Sequence, residues 1–139
     1  MDKPSGVTVF GVLETIFSGL AILGTLFSLI LVPIIAAVTP GLPSTAYLII
    51  SGLIGLALAV VGLVEGIGLL ASKKWARKLA IVLACITILV AIINLVVNIA
   101  LALGIAAAIA GFVIGVAYRI LILWYFHRPN VVKYFAGLK

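Results

Sequence analysis

Three ionisable side chains, Glu14, Glu65 and Arg119, are set within long apolar runs of a 139-residue chain that is 66% hydrophobic and 9% charged. Charge inside a bilayer is costly, so such groups turn toward protein or toward a water-filled cavity. Two carboxylates and one guanidinium could do one of two kinds of work. They could exchange protons or cations along a pathway, one carboxylate being paired less well than the other. Alternatively they could form a structural ion pair that fixes helix register. The rest of the inventory for chemistry is thin. His127 and Asp2 are the sole histidine and aspartate and lie outside the apolar runs. A Ser-His-Asp triad, an aspartyl dyad and an HExxH zinc site are thereby excluded within the membrane. Cys85 is the only cysteine, which rules out an internal disulfide, a CxxC pair and a cysteine zinc site. Gly66 and Gly68 do not complete a phosphate-binding glycine signature. These residues predict no enzyme, no cofactor and no metal.

The elements that must position the three charges follow from hydropathy. Four apolar segments occur, at about 7–38, 45–72, 76–103 and 105–127. Each is long enough to cross roughly 30 Å of hydrocarbon as a helix. They are too long for barrel strands and lack period-two alternation. The expected fold is an all-α integral membrane four-helix bundle forming one transmembrane domain over residues 1–139. Breaks come from Pro40, Gly41 and Pro43, with Ser44 able to cap the second helix, then from Lys73 and Lys74, then from Gly104. The first segment is about twice the length of a signal-peptide apolar region and is expected to be retained, with a bend at Pro33.

Charge sets the expected orientation. Lys73, Lys74, Arg77 and Lys78 mark the link between the second and third segments; Lys3 precedes the first, and Arg128, Lys133 and Lys139 follow the fourth. The other two links carry no charge. The positive-inside rule then predicts both termini and the middle link on the cytoplasmic side of a plasma membrane. Trp75, Trp124, Tyr125 and Phe126 fall at the same level, where aromatic rings favour the interface. A net charge of +6 on that side favours anionic lipid headgroups as partners. Nucleic acid is not expected, since topology explains the cations. The tail HRPNVVKYF should begin a short interfacial helix at Pro129 and Asn130, with Val131, Val132, Phe135 and Leu138 on one side.

Small and polar residues recur along each segment at steps of three and four. The first carries Gly11, Glu14, Ser18, Ala21, Thr25 and Ser28; the second Gly52, Gly55, Ala59, Gly62 and Gly66; the third Ala80, Ala84, Thr87, Ala91, Asn94 and Asn98; the fourth Gly104, Ala108, Gly111 and Gly115. Such stripes let helix backbones approach, within one chain or between chains. By the helical rise, Glu14 and Glu65 lie about 10 Å, and Arg119 about 12 Å, from the basic ends of their helices. A Glu–Arg–Glu cluster at one depth is expected, with the arginine fork holding at least one carboxylate. Asn94 and Asn98 could line a polar vestibule or join helices by hydrogen bonds.

The run GLVEGIGLLASKKWARKLAIVLA, Gly62 to Ala84, with the HRPNVVKYF ending, resembles a family of small prokaryotic four-span membrane proteins with no established activity. That resemblance implies architecture and a prokaryotic plasma membrane, and no site residues. Glu14 in a four-span chain also invites comparison with small multidrug transporters. The TIFSGL that follows it, its shallow position in a long helix and the basic KKWARK link depart from that pattern. The function expected is a non-enzymatic structural or accessory component forming homo-oligomers or joining a larger membrane complex. The alternative is a small proton- or cation-coupled transporter or channel using Glu14, Glu65 or both.

Overall fold

The computed structural model describes residues 3–39, 45–101 and 104–138. It is an all-α bundle of α1 (Ser5–Val38), α2 (Thr45–Leu70), α3 (Lys74–Ala100) and α4 (Ile105–Phe126), followed by α5 (Pro129–Ala136). The first four are long and apolar enough to cross a membrane. Most of their large Leu, Ile and Val side chains point outward, as expected when lipid, not water, is the surrounding solvent. The expected helix breaks at Pro40, Gly41 and Pro43, the Ser44 cap and Asp2 lie outside the described residues; the third helix ends at Ala100, with Leu101 as its C-cap, short of the expected 103.

Helices pair as two hairpins. α1 packs most extensively on α2, and α3 on α4, while α2 and α3 join the hairpins. The first hairpin is close because its small residues meet. A Cβ added at Gly66 would lie 2.8 Å from the Thr15 amide nitrogen and 3.1 Å from the Gly11 carbonyl oxygen. One at Gly62 would lie 2.5 Å from Ser18 Oγ, and one at Gly52 2.8 Å from Leu29 Cδ2. Ala59 is buried in the same seam. Gly55, Gly111 and Gly115 behave differently, because no atom lies within 4 Å of a Cβ built on them. They were read from spacing as packing positions, yet within this chain they border open space.

The cause is a division along the bundle. Buried residues of the four long helices are Val7 to Ser18 on α1, Ala59 to Leu69 on α2, Ala76 to Ala84 on α3, and Ile122 and Phe126 on α4. All lie toward the end that carries the cations. Toward the neutral end the hairpins part.

The basic end is closed by an apolar and aromatic plug. Val7, Leu69, Ala76, Ala80, Ile122 and Phe126 form its interior, and α5 seals it with Val131, Tyr134 and Phe135. Phe10 stacks against Tyr125 at 5.0 Å and Phe126 at 6.1 Å. Pro129 starts α5 at the position where a missing N–H costs nothing. The tail helix therefore packs inward on one face, and the Tyr134 hydroxyl donates to Ser72 Oγ at 2.8 Å. Ser72 has a φ of 54° and ends α2, with the Lys73 amide returning to the Gly68 carbonyl, the pattern of a left-handed C-cap.

The link between α2 and α3 lies two residues earlier than hydropathy implied, since α2 ends at Leu70 and α3 begins at Lys74. Lys74, Arg77 and Lys78 thus occupy a helix N-terminus, where the macrodipole disfavours cations. Arg77 resolves this by reaching across: it is half-buried and its Nε donates to the Phe126 carbonyl at 3.0 Å, at the negative end of α4. Lys3 does the same for α2, its Nζ donating to the Leu70 carbonyl at 2.8 Å. Arg128 lies 3.8 Å over the Trp124 ring, and Trp75 flanks Gly68. Lys73, Lys74, Lys78 and Lys133 remain exposed.

The two classes of glycine should separate by substitution. Gly66→Ala should lower stability by about 1–3 kcal/mol, because backbone must shift to admit the methyl. Gly115→Ala should be neutral or stabilising by up to about 1 kcal/mol through helix propensity. Thermal unfolding of both variants in one detergent checks this, and equal losses would contradict the division of the bundle.

Candidate functional site

Glu14 sits on the α1 face that turns inward, between Gly11 and Ser18, and is 2% exposed. Arg119 approaches from α4, where it is one turn beyond Gly115. Its Nη1 donates to Glu14 Oε1 at 2.8 Å, the only salt bridge among the described residues. Tyr118, the preceding residue, donates its hydroxyl to Glu14 Oε2 at 2.9 Å. Both oxygens of Glu14 are thus engaged by neighbours on α4. These bonds, with an edge-to-face contact of Phe17 on Tyr118 at 5.8 Å, hold α1 to α4 in the basic half of the molecule.

Glu65 lies near enough to feel the charges of Glu14 and Arg119, as the matching depths predict. Its environment is different. The residue is 0% exposed, and neither carboxylate oxygen has a hydrogen-bond partner among the described residues. Arg119 holds one carboxylate, through Nη1 alone and not as a two-pronged fork; the second carboxylate is not held. A carboxyl group enclosed with neither oxygen bonded is costly whether charged or neutral, which makes Glu65 the anomaly of the site.

Beside the pair lies a cavity of about 280 Å³ between all four long helices, lined by Glu14, Arg119 and Tyr118 themselves together with Phe17, Leu58 and Thr87, and not by Glu65. At Gly55 it adjoins a larger cleft of about 630 Å³ that extends toward the neutral end. Thr25 and Ser28 of α1, Ser51 of α2, and Asn94 and Asn98 of α3 line that cleft. The small and polar stripes therefore face one another across a gap. Asn94 accepts from the Tyr47 hydroxyl at 3.1 Å, and Asn98 donates to the Asn94 carbonyl at 2.7 Å, so this pair both joins helices and lines a vestibule.

Sequence reasoning missed Tyr118. Its signal was available: a tyrosine beside an intramembrane arginine, at the depth of a glutamate, with a hydroxyl that needs a partner. Phe17 was missed too, since a phenylalanine on an apolar helix carries no mark of a cavity wall. Cys85 is free and exposed rather than packed. His127 is exposed, with Nδ1 2.6 Å from the Leu123 carbonyl. Among the described residues no group of His, Cys, Asp and Glu could hold a metal ion.

Arg119→Leu should cost about 3–5 kcal/mol, because Glu14 loses its counter-charge inside the bundle. Tyr118→Phe should cost about 1.5–3 kcal/mol, the range for one hydrogen bond to a charged group. Adding Glu14→Gln to Arg119→Leu should recover part of the first loss. Unfolding in nanodiscs measures all three, and an additive double variant would argue against the pair.

The chain matches no protein-family model, no curated protein and no solved structure with which it was compared.

Proposed function

We propose that this chain is a small non-enzymatic integral membrane protein that works by association, as a structural or accessory component joined to its own copies or to a larger membrane complex. One observation carries the reading. At the neutral end the hairpins part, leaving Ser28, Ser51, Asn94 and Asn98 around an open cleft within helices long enough to span a bilayer. Ser51, Asn94 and Asn98 use only part of their hydrogen-bonding capacity within the chain, and a further helix or water supplies the rest better than hydrocarbon does. The closed basic end supplies a rigid base for that contact. Its exposed Lys73, Lys74, Lys78 and Lys133 are suited to anionic headgroups and support a cytoplasmic placement of both termini. The resemblance of Gly62 to Ala84 to small prokaryotic four-span proteins supports a prokaryotic plasma membrane. A second reading, proton- or cation-coupled transport, is favoured by Glu65 alone.

Native mass spectrometry after nanodisc extraction should find the chain as a homo-oligomer or with a stoichiometric partner; recovery solely as a monomer would count against association. Orientation has its own check. In a Cys85→Ser background, Lys74→Cys should react with an impermeant maleimide in inside-out vesicles and not in right-side-out ones. The reverse pattern would invert the topology.

A further inference from the structure

The cations of the basic end have no carboxylate to meet within the described residues. Glu14 and Glu65 are the acids there, and the one salt bridge takes Arg119. Arg77 and Lys3 find helix-end carbonyls instead. Arg128 finds neither: its guanidinium lies 3.8 Å over the Trp124 ring, with no hydrogen bond to another described residue. Stacking occupies the flat face of the group and leaves its in-plane N–H donors open.

Those donors stand at the head of a groove. Ile120, Leu123, Trp124 and His127 recur at steps of three and four, so they share one face of α4. Where the chain turns from α4 into α5 at Pro129, this face and Arg128 border a groove of about 460 Å³. Ile120 and Trp124 are more than half exposed, on the outer side of a helix long and apolar enough to span a bilayer. His127 donates from Nδ1 to the Leu123 carbonyl at 2.6 Å, which fixes its ring to α4 as part of the wall. The groove is therefore cationic at one end and apolar over the rest, with Ile120 about 12 Å before Arg128 along the helix. Trp124 marks the level of the membrane interface, where a tryptophan ring is favoured. A soluble anion would match the head alone. A phospholipid matches both parts, because its phosphate accepts from the guanidinium edge while its hydrocarbon covers the apolar face.

We propose that this groove holds one anionic phospholipid per chain, its phosphate on Arg128 and an acyl chain lying along Trp124, Leu123 and Ile120. The proposal deepens the headgroup contact of the exposed lysines by assigning one lipid to one place, and it rests on the membrane placement of α4 and not on association.

The test is native mass spectrometry of the full-length protein in detergent, with equal amounts of added phosphatidylglycerol and phosphatidylcholine of the same acyl chains. One retained phosphatidylglycerol per chain is expected, in preference to phosphatidylcholine. Arg128→Gln should weaken its retention about fivefold or more, which corresponds to about 1 kcal/mol for one basic residue at a headgroup. Trp124→Leu, which removes the stack and keeps the charge, should weaken it by a smaller factor. Lys74→Gln removes an equal charge from outside the groove and should also do less than Arg128→Gln. Equal retention of the two lipids overturns the proposal. Equal losses in Arg128→Gln and Lys74→Gln overturn it as well, in favour of a diffuse attraction that leaves the headgroup contact of the lysines standing. Displacement of the lipid by excess glycerol phosphate would assign the groove to a soluble anion and likewise overturn it. The number of chains per complex is read separately in the same spectra, so association stands or falls on its own.

Discussion

The bond between Arg119 and Glu14 is the contact on which the geometry of the interior depends. α1 belongs to one hairpin and α4 to the other, and their pairings run through α2 and α3. What joins them directly, above the aromatic plug, is a guanidinium, a carboxylate, the Tyr118 hydroxyl and the contact of Phe17 on the Tyr118 ring. Long side chains can bridge a gap that backbones do not close. They therefore hold the hairpins together while leaving a cavity beside them.

Two kinds of closeness divide the molecule. In the basic half, glycines at Gly11, Gly62 and Gly66 bring α1 and α2 so near that a methyl group would strike backbone or a neighbouring hydroxyl. Aromatic rings fill the remainder and α5 covers the end. Further along, Gly52 still meets Leu29, but Gly55, Gly111 and Gly115, of the same type at the same spacing, face open volume. Small residues permit approach without compelling it, because between lipid-facing helices there is no hydrophobic force to draw them together. The ring contacts and the Arg119–Glu14 pair that join α1 to α4 lie toward the basic end.

Helix ends show the same economy with charge. Cations at the start of α3 oppose its dipole, but topology requires positive residues on one side of the membrane. Arg77 and Lys3 satisfy both demands by capping carbonyls at the ends of α4 and α2. One set of charges thus serves to order the helices and to mark a face.

By itself the sequence determined the helical spans, the common end that carries the cations, the inward faces and the common depth of Glu14, Glu65 and Arg119, because hydropathy and a 3.6-residue period act locally. It also predicted the tail helix, whose Pro129 and alternating apolar residues are local signals. Tertiary structure decided which carboxylate the arginine holds, that Tyr118 shares it, that Glu65 is enclosed without a partner, and that Gly55, Gly111 and Gly115 border a gap instead of a helix. These depend on how far apart the hairpins stand and on how side chains from α1, α2 and α4 meet in space. No spacing within a single helix records those distances.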